Sequence, residues 1–137
     1  MDVILETLRA GLPLLALQFA VTLALLGAGI AIYMAVTPFH EARLIRSGNV
    51  AAGLVLGGAL VSLAMPLAAT LATSHVTLDI LIWGIVAVVV QLLAFLLLSA
   101  LLSGLRHMIE EGNAAAATVL VGLQLAVGLL NAGAMAG

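Results

Sequence analysis

Apolar residues fill four long stretches of the chain, at 12–36, 50–73, 80–103 and 114–136, and the charged residues fall before or between them. Each stretch is long enough for a helix to cross a hydrocarbon core of about 30 Å, which takes about 20 residues. The pattern therefore predicts an all-α integral membrane protein with four transmembrane helices. Within the stretches, polar and small residues recur at helical spacing. Gln18 and Thr22 lie near the face of Gly29 and Tyr33 in the first, and Gly58, Ser62, Pro66 and Thr70 recur every four residues in the second. Gln91, Ser99 and Ser103 share a drifting face in the third, while Gln124, Gly128 and Asn131 follow the i, i+4, i+7 spacing of one helix side in the fourth.

Polar groups at membrane depth normally face protein or water. Two uses follow for Gln91, Gln124, Asn131 and Ser62. They can hold a bundle together, at about 0.6 kcal/mol per interhelical hydrogen bond on average, helped by small-residue pairs such as Gly53 with Gly57, Ala24 with Ala28, and Gly27 with Ala31. Alternatively they line a water-filled path. Four close-packed helices fill their own centre, so a pore requires a homo-oligomer, with Gln91, or Gln124 and Asn131, around its axis.

A phrase occurs twice between apolar runs, from Ile45 to Ala52 (Ile-Arg-Ser-Gly-Asn-Val-Ala-Ala) and from Ile109 to Ala116 (Ile-Glu-Glu-Gly-Asn-Ala-Ala-Ala). Laid over each other, the halves also agree at Val55 and Val119, Leu56 and Leu120, and Gly58 and Gly122. The chain reads as one membrane domain, 1–137, made of two parallel two-helix repeats at about 12–73 and about 80–136. In the first connection Thr37 can cap, Pro38 suits a first helical turn and Glu41 an early position, which predicts a short interfacial helix ended by Gly48. Asn49 and Asn113 should then cap the second and fourth spans, and Asp79 the third, on its outer side.

Composition excludes several classes. Hydrophobic residues make up 65% and charged residues 7%, against roughly 25% charged in soluble domains. Four spans in 137 residues leave no room for a soluble domain, which argues against an ordinary enzyme. The first run follows Asp2 and Glu6 and lacks the marks of a cleaved signal peptide, so it is expected to be retained. Without cysteine, and with His40, His75 and His107 scattered, no metal site or cofactor is expected. The net charge of −2 points to no nucleic acid partner. Arg43, Arg46 and Arg106 occupy the first and third connections, so these should face the cytoplasm and both termini the outside. Glu41, Arg43, Arg46, Glu110 and Glu111 would form a charged cytoplasmic surface.

Tyr33, Thr37-Pro38, Glu41, the run Leu44 to Asn49, Ala51-Ala52, Pro66-Leu67-Ala68, Asp79, Trp83-Gly84, Gln91 and Glu110 to Asn113 stand together in an order that resembles the DUF350 family of small bacterial inner-membrane proteins. The resemblance covers nearly the whole chain and implies a bacterial inner-membrane location. No activity is established for the family. Some members are encoded near membrane-stress proteins and ATP-grasp enzymes, so the resemblance implies an envelope-stress accessory role by association. The second half departs from the first at Leu105, where the first has Glu41, and lacks the Thr-Pro. Two expectations follow. One is an oligomeric scaffold in the lipid bilayer that binds a cytosolic stress-response protein; the other is a homo-oligomeric channel for small ions.

Overall fold

An unpaired backbone N–H or C=O in hydrocarbon costs several kcal/mol, which leaves a chain this apolar only helices or a closed barrel with which to span. The computed structural model describes residues 1–37 and 40–137, and among them it contains helices and no strand. They are α1 (Asp2–Val36), α2 (Glu41–Arg46), α3 (Val50–Thr73), α4 (Thr77–Leu101), α5 (Ser103–Glu110) and α6 (Ala114–Ala136). Four of these, α1, α3, α4 and α6, are long and apolar enough to cross a membrane.

α3 and α6 occupy the ranges that the apolar pattern gives. α1 instead begins at Asp2, because hydropathy marks entry into lipid and not the start of a helix. Its 35 residues span about 52 Å, well beyond a 30 Å hydrocarbon core, and residues 2–17 are exposed along the whole circumference. α4 begins at Thr77 with Val76 at the cap position, so Asp79 is not the cap: it lies inside the first turn, where a negative charge still favours the helix dipole. α4 stops at Leu102 (φ −116°, ψ 42°), and the chain resumes as α5, a helix that hydropathy does not reveal because its outer face is charged.

Helix directions follow from who meets whom. Leu25 lies over Gly84 and Val88 beside Gly29, so α1 and α4 run parallel. Gln124 and Val121 lie over Gly58, and Ser62 and Met65 over Gly128, so α3 and α6 also run parallel. Tyr33 of α1 meets both Phe95 and Gln124, while Asn131 bonds at Ala87, so α4 and α6 are antiparallel. Both termini therefore lie at one end of the bundle, and the segments 37–49 and 102–113 at the other, here called the turn end.

α3 is the central helix. Its buried residues, Ala51, Ala52, Val55, Gly58, Ala59, Ser62, Leu63, Pro66, Leu67 and Thr70, step by three and four and face every other helix. Its most extensive contact is with α6. Pro66 has no N–H, so the Ser62 carbonyl cannot receive its usual helical hydrogen bond. Gly128 lies against that same carbonyl: a Cβ there would stand 2.7 Å from Ser62 O, 2.9 Å from Ser62 Cα and 2.9 Å from Met65 Cε. By contrast Gly27, Gly53, Gly57 and Gly122 have nothing within 4 Å of an added Cβ. The Gly53–Gly57 pair thus takes no part in packing this bundle; Gly58 and Gly128 do.

These positions predict opposite outcomes for one substitution. Gly128→Ala must push α3 and α6 apart and should lower stability by about 1–3 kcal/mol, as overpacking does. Gly122→Ala should be neutral or stabilise by up to about 1 kcal/mol through helix propensity. Reversible unfolding in bicelles, with both variants compared to the parent, measures the difference.

Candidate functional site

Two turns organise the turn end. After α2, the Asn49 N–H donates to Leu44 O and the Gly48 N–H to Ile45 O, both at 2.9 Å, with Gly48 at φ +86°. After α5, Asn113 N–H donates to Met108 O and Gly112 N–H to Ile109 O, again at 2.9 Å, with Gly112 at φ +86°. Each is a Schellman ending, which requires a left-handed residue that only glycine adopts without strain. Each asparagine then starts the next helix: Asn49 Oδ1 accepts from Ala52 N at 3.0 Å, and Asn113 Oδ1 from Ala116 N at 3.1 Å.

The turns differ in what the amides do next. Asn49 Nδ2 donates across the bundle to Ile109 O at 2.9 Å and Glu110 O at 3.2 Å, tying the first turn to the end of α5. Asn113 makes no such bond among the described residues. On α5, Arg106 pairs with Glu110 at 3.3 Å and His107 with Glu111 at 2.9 Å, all four exposed. Pairs of this kind contribute at most about 1 kcal/mol in water. Arg43 and Arg46 are exposed on α2 and have no acidic partner among the described residues.

Glu41 corrects the sequence reading of a five-residue charged surface. It is 2% exposed, and neither carboxyl oxygen has a hydrogen-bond partner among the described residues. Burial pushes its pKa up to about 7, with its own backbone N–H opposing by a smaller effect. The start of α2 also differs from expectation. Thr37 ends α1, and its hydroxyl donates back to Tyr33 O, while His40 occupies the N-cap of α2 without a side-chain bond. Pro38 lies outside the described residues.

The interior holds the remaining polar candidates. Asn131 Nδ2 donates to Ala87 O and to Gln91 Oε1, both at 3.1 Å, joining α6 to α4. Gln124 Nε2 reaches Tyr33 Oη at 3.5 Å, joining α6 to α1. The Ser62 and Thr70 hydroxyls return to carbonyls of their own helix, Ala59 O at 3.0 Å and Leu67 O at 2.8 Å. Gln91 Nε2 and Gln124 Oε1 are buried without partners among the described residues. All of these side chains are buried within the single bundle. A cavity of about 40 Å³ lies toward the turn end, lined by Tyr33, Thr37, Ser99, Arg106 and Gln124 among apolar side chains. A water needs roughly 10–15 Å³ of such volume, so the cavity has room for a small number.

Tyr33 and the burial of Glu41 are what sequence reasoning missed. A signal existed: Leu105 stands as far ahead of Gly112 as Glu41 does of Gly48, and leucine at that place points to a covered position. The two turns give a paired prediction. Asn113→Ala should cost about 0.5–2 kcal/mol as a lost cap. Asn49→Ala should cost more, by roughly 0.5–1.5 kcal/mol for each cross-bundle bond lost. Parallel unfolding measurements on the two variants read the gap directly.

Comparison with known proteins fits this architecture. The sequence matches the family described as Domain of Unknown Function (DUF350) over residues 7–135. It is 34% identical over 104 residues to the UPF0719 inner membrane protein YjfL of Escherichia coli strain K12, covering 76% of this chain and 79% of that protein. The YjfL of Escherichia coli O157:H7 matches to the same extent. No solved structure matches significantly. With four spanning helices and inner-membrane relatives, the protein is a multi-pass inner-membrane protein, and its chain belongs to the DUF350 family.

Proposed function

We propose that this protein is a non-enzymatic membrane scaffold, built from a duplicated hairpin and assembled as a homo-oligomer, whose turn end faces the cytoplasm and docks a cytosolic protein. An envelope-stress accessory role is the form of this reading that the family resemblance favours. The observation that carries it is the pair Arg43 and Arg46, exposed on a short helix and without acidic partners among the described residues, at the same end as α5, where Arg106 already pairs with Glu110. Arginine at that end supports the orientation. The open groove along Gly53, Leu54, Gly57 and Val61 supports assembly, since small residues let a second helix approach closely. The duplicated Schellman turn, repeated bond for bond, supports the internal repeat.

Charge reversal tests the docking face. Arg43→Glu with Arg46→Glu should abolish co-purification of the partner while the detergent-extracted protein keeps its unfolding midpoint and its size. Retention of every co-purifying protein by the double variant rules out that surface.

A second reading is a small-ion path through each bundle of the oligomer, favoured by the buried Gln91 Nε2 and Gln124 Oε1, which have no partner among the described residues, and by the small cavity that Gln124 lines. It predicts selective flux of K⁺, Na⁺, H⁺ or anions across liposomes holding the purified protein, and a changed flux with Gln91→Leu and Asn131→Leu. Absence of flux from a well-folded oligomer returns the polar interior to packing alone.

A further inference from the structure

Glu41 opens α2, a helix of six residues that packs against α3. The surroundings of its carboxyl can be taken element by element. α3 carries no charged or titratable side chain between Val50 and Thr73. α1 contributes Tyr33, whose phenol oxygen is the contact of Gln124. On α2 itself Arg43 and Arg46 are exposed, as is His40 before it; on α5, Arg106 and His107 pair with Glu110 and Glu111. Among the described residues Glu41 has no ion pair, and a buried carboxylate without a partner is far more costly than a neutral carboxyl.

The geometry points to Glu41 as a proton-binding site: its carboxyl takes up a proton to seat α2 against α3, and loss of that proton to water releases α2 from the bundle. This inference is independent of what docks on Arg43 and Arg46, although release would move both. The route for the proton is short. An open depression lined by Met34, His40, Glu41, Ala42, Arg43 and Arg46 connects the seat to solvent. The Gly48 turn holds the far end of α2, while no side-chain cap holds the near end.

The direction with pH follows from linkage. The seated carboxyl has its pKa raised from 4.5 to about 7, so the seat is strongest below the ordinary value and is lost as pH rises through the raised one. Between those values the balance moves toward release by close to tenfold per pH unit, and it levels off above. On α5, Leu105 takes the corresponding place before the turn and carries no titratable group.

The experiment is hydrogen exchange of the full chain in phosphatidylcholine nanodiscs from about pH 5 to about pH 8, each rate divided by its intrinsic rate at that pH. Protection of residues 44–47 should fall at least tenfold in the parent and stay constant in Glu41→Gln. Infrared difference spectra between parent and variant should show a protonated carboxyl at the acidic end that disappears at the basic end. A flat profile for α2 in the parent, the same slope in Glu41→Gln, or a carboxylate ionised at every pH overturns the proposal. Should Glu41→Gln fail to fold, Glu41→Leu, which copies α5, supplies the same comparison.

Discussion

The close, parallel contact of α3 with α6 is the constraint on which the rest of the molecule depends. Lipid tails are as apolar as leucine, so helices in a bilayer gain nothing from hiding apolar surface and must be held by packing and hydrogen bonds. Dispersion falls off within fractions of an ångström, and only backbones that approach closely collect it. Gly58 and Gly128 allow that approach, and alanines at Ala51, Ala52 and Ala117 carry it to the turn end. Pro66 adds a carbonyl with no helical partner at Ser62, directly where Gly128 arrives. Once this register is set, Gln124 lies over Gly58 and within reach of Tyr33, and Asn131 is carried to Ala87 and Gln91.

The turn end combines a shared backbone device with different side-chain uses. Both connections close with the same pair of hydrogen bonds, the same glycine conformation and the same asparagine cap. On that frame the first turn carries a buried carboxyl and a cross-bundle amide, and the second a leucine and an amide that only caps. The short helices before the turns differ accordingly. α5 pairs Arg106 with Glu110 on its own exposed face, whereas α2 buries its acid and exposes its bases. That asymmetry gives the turn end its chemical identity.

Inside the bundle the polar groups are only partly satisfied. Ser62 and Thr70 close on their own helix and cost the membrane little. Gln91, Gln124 and Asn131 link helices, yet one amide donor and one amide acceptor stay unmatched. A buried unpaired polar group costs about 1–3 kcal/mol, so a chain that keeps two of them gives up stability that apolar side chains would supply.

The sequence by itself determined the membrane class, the two central-register helices α3 and α6 in full, the glycine that ends each turn and the asparagine that starts the next helix. These are local matters: hydrophobic length decides spanning, and a left-handed residue followed by a short polar cap needs no distant partner. Where a property depended on what lies across the bundle, the chain alone misplaced it. Glu41 looks like surface charge until the fold buries it, Asp79 looks like a cap until Val76 takes that place, and Gly53 with Gly57 looks like an internal contact until α6 meets Gly58 instead. Gln91, Gln124 and Asn131 were legible as one-sided, but only the tertiary structure decided that their side is the inside of a single bundle. Burial and partner choice are sums over contacts made by residues far apart in the chain, and periodicity along one helix carries no record of which neighbour will stand opposite.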